Sequence, residues 1–264
     1  MAKSLNVYEF GVKMSKRQEV REQRHDEMIG NRILVIGVVT VGILVIILAL
    51  IIPGINTARS QAGATNQTIA VTPINTRAIA LKVDGRHLGD PNAPVKVDVW
   101  EDFQSSSCRI YSVDVEPKII SNYIEAGKVY YTYHFYPFVD GSNVGGESHQ
   151  AANAALCASD QAHFWEYHDI LIANWNGENQ GSFSNAHLIA FAETLGLDIT
   201  TFSQCVQANT YANLINQDLL AGQTAGVHKN GTPSVFINGL LLTPGYVPTY
   251  DQAASAIEAD LAGK

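Results

Sequence analysis

At 264 residues, with 46% hydrophobic content and a formal charge of −8, the chain can hold one substantial globular domain and a smaller appendage. This composition excludes a disordered or collagen-like protein. Residues 1–32 carry seven Lys/Arg against five Asp/Glu, which leaves 10 basic and 20 acidic residues for the remainder; so acidic a body is a poor ligand for a phosphate backbone, and nucleic acid is not expected as a partner.

Taken in chain order, the first feature is a charged segment, residues 1–32, with Lys13, Lys16, Arg17, Arg21, Arg24 and Arg32 gathered near its end. Ile33 to Ile52 follow as 20 residues without a charge or an amide side chain. At ~1.5 Å per residue this run spans about 30 Å, the thickness of a bilayer's hydrocarbon core. A buried core helix is seldom apolar on all sides for this length, and a cleaved signal peptide has a shorter apolar core, so the run predicts a retained transmembrane helix. The basic bias ahead of it predicts a single-pass protein of the cell membrane, with residues 1–32 cytoplasmic and the larger part extracytoplasmic. Residues 53–83 are rich in Thr, Asn, Gln, Ala and Ser and predict a linker or stalk, with a short strand near Thr68 to Val71.

From residue 84 onward the pattern is that of a packed domain. "VKVDVWEDF" (95–103) alternates apolar and polar residues as a half-buried strand does, and "VYYTYHFYP" (129–137) predicts a second. Between them Ile110, Val113, Ile119, Ile120, Tyr123 and Ile124 approximate a helical stripe, kinked at Pro117 and closed by Gly127. Residues 147–226 read almost entirely as helix. "GTPSVFING" and "LLLTPG" then predict two short strands, and "TYDQAASAIEADLAG" a closing helix. The order is βαβ, a block of helices, then ββα, an α/β fold with helices on a mixed sheet.

Four segments carry a resemblance: "DGRHLGDPNAPV", "EDFQSSSC", "AANAALCASDQAHFWEYHDIL" and "GTPSVFINGLLL". From residue 84 to 264 the chain resembles the DsbA-like thiol-disulfide oxidoreductases, a thioredoxin-like fold with an inserted helical domain, here at about 147–226. The resemblance implies that Ser105-Ser106-Ser107-Cys108 stands where the family has its Cys-x-x-Cys window, and that Pro233 after Thr232 is the cis-proline beside the active site. Residue by residue, Ser105 replaces the attacking cysteine and Cys108 occupies the place of the resolving one.

Exchange needs a thiolate to attack, and a catalyst that turns over needs a second thiol to resolve the mixed disulfide. A serine hydroxyl supplies neither. Cys108 near a helix N-terminus would feel the positive end of the macrodipole, which is one reading; a buried, inert thiol is the other, and the expected one. Glu101 and Asp102 are close enough in sequence to carry protons, against a plain reading as surface carboxylates at a strand end. The acid that thioredoxins often bury six residues before the first cysteine falls on Val99. Cys157 and Cys205, on different predicted helices, are implied by the resemblance to form a structural disulfide, with two separate buried thiols as the alternative. Closing that 48-position loop would contribute roughly 4 kcal/mol.

His163 and His168 are five apart rather than four, so no zinc site is expected, and no cofactor is called for. Phe164, Trp165, Tyr167 and Trp175 predict core and groove aromatics of the insertion. The sequence thus predicts a membrane-anchored domain that has lost its nucleophilic cysteine and serves as a non-catalytic accessory subunit of a membrane protein complex. Extended peptides are the other expected clients. The alternative is a thiol-disulfide oxidoreductase acting through the single thiol Cys108.

Overall fold

In the computed structural model, residues 69–74, 83–141, 143–227, 231–242 and 246–263 are described. The predicted cytoplasmic segment and transmembrane helix lie outside the described residues, as does the predicted linker apart from 69–74 and 83. Among the described residues no helix is long and apolar enough to cross a membrane.

The sheet forms first a hairpin of β1 (Val83–Asp84) and β2 (His87–Leu88), where Gly85 takes a positive φ of 54° to turn the chain. β3 (Val95–Glu101) and β4 (Val129–Phe135) follow, pairing in parallel from Val95 opposite Val129 to Glu101 opposite Phe135. β5 (Ser234–Ile237) runs antiparallel on the other side of β3, with β6 (Leu240–Leu241) beyond it. The strand order is β1-β2-β4-β3-β5-β6, so β3 and β4, which carry the strongest alternation in the sequence, lie at the centre.

The crossover from β3 to β4 is broken into α1 (Ser106–Asp114), α2 (Glu116–Ile119) and a π-helical turn, Ile120–Ile124. The predicted kink at Pro117 falls instead at Val115, which leaves Pro117 in the first turn of α2, where its missing N–H costs nothing. The break resets the helical register. Ile110 and Val113, predicted to face the core, are 49% and 51% exposed, while α1 buries Cys108, Tyr111 and Ser112.

The helical insertion comprises α3 (Glu147–Ser159), α4 (Phe164–Ala173), α5 (Asn185–Thr194), α6 (Ile199–Gln207) and α7 (Ala212–Ala225), and α8 (Tyr250–Ala262) closes the domain. Cys157 of α3 and Cys205 of α6 are joined by a disulfide. Phe164 and Trp165 of α4 are buried among the rings of β4, with Tyr133 against both, whereas Tyr167 is buried against Phe202 of α6.

The two faces of the central strands meet different neighbours. Val95, Val97, Val99 and Glu101 share one face and enter the main core, whereas Trp100, on the other, stacks on His134 at 4.1 Å and is covered by α7. Gly222 of α7 makes that approach fit, because a Cβ there would lie 2.7 Å from the Trp100 ring and 2.9 Å from Tyr136. The predicted strand near Val71 is absent among residues 69–74; Thr72 instead pairs through its backbone N–H and C=O with the side-chain amide of Asn174, at 2.7 and 3.1 Å.

Candidate active site

The carboxyl end of β3 runs through Asp102 and Gln104 into the first turn of α1. Ser105 is extended, φ −71° and ψ 124°, and its hydroxyl caps the helix by accepting from Cys108 N–H at 3.4 Å. Cys108 is thereby fixed in that first turn with its side chain directed inward, 1% exposed.

Its sulfur is not packed in hydrocarbon. The Asp102 backbone N–H donates to Sγ at 3.4 Å, and the hydroxyls of Ser105 and Thr232 lie beside it. Thr232 is buried and precedes Pro233 across a cis peptide bond. The Glu101 carboxyl completes the circle. Ser105, Cys108, Thr232 and Pro233 are therefore brought to one place; Cys157 and Cys205 belong to the helical insertion.

Burial pushes the Cys108 thiol well above its usual range, and the neighbouring Glu101 adds to this. Burial likewise pushes Glu101 well above the usual carboxylate range, reinforced by Glu116 and opposed by contacts with Ser112 and Cys108. Asp102 is raised to about 6, again by burial, against the N–H groups of Val139 and Gln104 that donate to it at 3.0 and 2.9 Å. The surface reading of both carboxylates is overturned: they are 1% and 2% exposed. The signal was in the alternation, since Glu101 is in phase with Val95, Val97 and Val99 and so belongs to the apolar face.

Gln104, fully buried, was missed altogether. Its side-chain amide donates to Asp140 at 3.0 Å and to Ser148 at 2.9 Å, its side-chain carbonyl accepts from Asn179 N–H at 2.6 Å, and its backbone carbonyl accepts from Trp175 Nε1 at 2.7 Å. One side chain so ties the site loop to the start of α3 and to the loop after α4. Asp140, its side chain fully covered, receives the Ser148 and His149 N–H groups at that helix start and lies 2.8 Å from His149 Nδ1.

Residues 82–259 match the thioredoxin family model. The chain belongs to the thioredoxin family, with the fold of the DsbA proteins. Among its DsbA-like relatives, the probable disulfide bond formation protein D of Bacillus cereus is 28% identical over 177 residues, covering 66% of this chain and 77% of that protein. The Na(+)/H(+) antiporter NhaA 3 of Salinispora tropica is 31% identical over 183 residues, 69% of this chain but only 25% of the antiporter. In structure, oxidised BdbD from Bacillus subtilis superposes with a TM-score of 0.59 at 24% identity, over 68% of this chain and 94% of BdbD. DsbA of Chlamydia trachomatis gives 0.58 at 22% identity, over 74% and 98%. At those identities the two structures establish the shared fold.

The expectation of a non-catalytic accessory subunit is corrected by these findings. Relatives named for disulfide bond formation match most of the domain, and Cys108 remains at the head of the site helix with a hydrogen-bond donor and two hydroxyls at its sulfur. Cys108 is a free thiol, outside the Cys157–Cys205 disulfide.

Proposed function

We propose that this chain is a thiol-disulfide exchange protein working through the single thiol Cys108, with the domain held on the outer side of a membrane by the span Ile33 to Ile52. The observation that carries the reading is the polar surround of the Cys108 sulfur. An inert core thiol needs only apolar neighbours, whereas Asp102 N–H, Ser105 and Thr232 offer the donors that a thiolate requires.

In the proposed reaction the sulfur attacks a disulfide in an extended polypeptide lying beside Thr232 and Pro233 while the Cys108 proton passes to Glu101, whose carboxyl, neutral at rest, gives up its own proton in the same step. One S–S bond breaks and one forms, giving a mixed disulfide and a client thiolate that takes a proton from solvent to leave as the thiol, with no net oxidation. A second thiol, from the client or from another thiol protein, then displaces Cys108 and restores it. Ser105 caps the helix and offers its hydroxyl to the sulfur, but as it holds no thiol the chain stores no oxidising disulfide of its own. Exchange and isomerisation follow from this arrangement, and stoichiometric oxidation does not.

The test is to incubate the full-length protein with a disulfide-bonded peptide, quench with acid and map adducts by mass. A mixed disulfide on Cys108, absent from Cys108→Ala, is the expected result, and Ser105→Cys is expected to add dithiol oxidation that the natural chain lacks. A Cys108 that forms no adduct until the protein is denatured would end the proposal.

A further inference from the structure

The exchange step hands a proton to Glu101, at the bottom of the site, and this carboxyl, neutral at rest, has to pass one on. Among the described residues no cation is found acting on that carboxyl; the ionisable side chain that acts on it is a second acid, Glu116 of α2. A charge created there has to leave in step with the chemistry, because an isolated ionised group is not stable in so dry a place. The structure contains a line of ionisable side chains running away from Cys108 that the exchange reaction does not otherwise use.

Ser112 Oγ donates to Glu101 Oε2 at 3.3 Å. Glu116, wholly buried, stands near enough to act on Glu101 electrostatically, and both acids act likewise on the buried hydroxyls of Tyr111 and Tyr131. His168 of α4 points its Nε2 at Glu116 Oε2, 3.8 Å away, and that nitrogen has no hydrogen-bond partner. The gap is about 1 Å longer than a hydrogen bond, within reach of a carboxyl rotation. On its other side His168 Nδ1 is 2.9 Å from Asp169 Oδ1. The His168 side chain is 1% exposed and that of Asp169 15%, so the line ends at solvent. Phe103, Tyr133 and Trp165 pack around the imidazole at 5.6, 5.4 and 5.3 Å and keep bulk water from entering along its length.

Resting on the exchange reading above, we propose that Glu116, His168 and Asp169 form the proton exit of the site, carrying to the surface the proton that Glu101 gives up as it takes the one from Cys108, and returning one when the thiol is restored. Glu116 and His168 touch no reacting atom; they act through Glu101 and are positioning residues for its proton. An imidazole suits this place because it can accept at one nitrogen while releasing from the other. The ionisable groups that face the line are Glu101 and Asp102 from β3, Cys108 and Tyr111 from α1, Glu116 from α2, Tyr131 and Tyr133 from β4, and His168 and Asp169 from α4. Burial drives Cys108, Glu101 and the three tyrosines towards their neutral forms. The competing outlet is a shallow pocket lined by Glu101, Asp102, Phe103, Phe135, Pro137 and Ser148.

The test is the rate at which native full-length protein releases thiopyridone from 4,4′-dithiodipyridine, followed across pH for the natural chain, Glu116→Gln and His168→Ala. Each variant is expected to react about a hundredfold more slowly with an altered pH profile, and imidazole is expected to restore His168→Ala. Wild-type rates and profiles in both variants would overturn the exit and assign the proton to the pocket. Slowing of His168→Ala that imidazole does not relieve, with an unchanged profile, would assign a structural role and overturn it as well. If His168→Ala fails to fold, Glu116→Gln, nearly isosteric with the native side chain, decides alone. A natural chain that does not react at all while native overturns the exchange reading and the exit together, and is recognised before any variant is compared.

Discussion

Asp218 and Glu101 meet at the same strand residue from different elements and end in opposite states. Asp218, on α7, accepts the Phe135 N–H at 3.0 Å, pairs with Arg86 and lies 3.6 Å from His134 Nδ1. Burial works to raise its pKa, but His134 and Arg86 hold it below the usual carboxylate range. His134 is held above its usual range in turn; burial alone would lower it, and its contacts with Asp218 and Asp98 outweigh burial. Glu101, whose backbone is directly opposite Phe135, faces a thiol and a second acid, and its carboxyl is pushed well up. Burial is common to the two, so the partner decides: one acid is a rivet between helix and sheet, the other a neutral carboxyl beside the sulfur.

The contrast breaks most visibly at Asp218. Asp218→Ala leaves Arg86 and His134 facing each other without their anion, and is expected to cost about 3–5 kcal/mol in denaturant unfolding. Cys108 reactivity should be preserved in whatever fraction stays folded. Next in size is Asp102, which burial keeps protonated to about pH 6, whereas the unfolded chain releases the proton near pH 4. The stability this contributes is complete below about pH 4 and lost as pH rises through about 6, at most about 3 kcal/mol. Asp102→Asn is expected to flatten that window in a pH series of melts. Asp218 has the opposite sign, since its lowered pKa gives stability above about pH 4 that is lost on acidification.

Gly222→Ala tests the α7 side by steric means. A methyl there meets Trp100, which is already stacked on His134, so overpacking of about 1–3 kcal/mol competes with a helix-propensity gain of up to about 1. Net destabilisation, read from the denaturant midpoint, is expected. The smallest change in stability is expected from Glu101→Gln, within about 1 kcal/mol, because the amide replaces a carboxyl that is already neutral. The same variant should give the largest loss of Cys108 exchange in the peptide assay. Together they separate the side that holds the fold from the side that reacts.

The sequence displayed the fold's frame more readily than its chemistry. Val95 to Phe103 and Val129 to Pro137 alternate so regularly that the central strands could be read directly, and Thr249, whose hydroxyl closes a capping box with Gln252, marks the start of α8. The hairpin of β1 and β2 was hidden because two-residue strands hold no period and "DGRHLG" looks like turn alone. The helical reading of residues 147–226 is interrupted at Ala162, φ 62°, because apolar spacing continues across a turn that backbone geometry, not hydrophobicity, imposes. At the site, Ser105 and Cys108 were visible as neighbours in sequence. Glu101 was assigned by its charge where its phase should have decided. Gln104, Glu116 and His168 gave no local signal, since what matters about each is what three separate elements bring against it.

The Cys157–Cys205 link also changes what a broken backbone means for this molecule. The loop at residues 177–180, exposed at Gly177 only in part but freely at Glu178, Asn179 and Gln180, lies between the two cysteines. A protease that nicks it severs the chain without releasing a fragment, because the pieces stay sewn together until a reductant arrives. Peptide-bond integrity and covalent integrity are thus separate properties over this stretch, and only the second depends on the redox state of the surroundings.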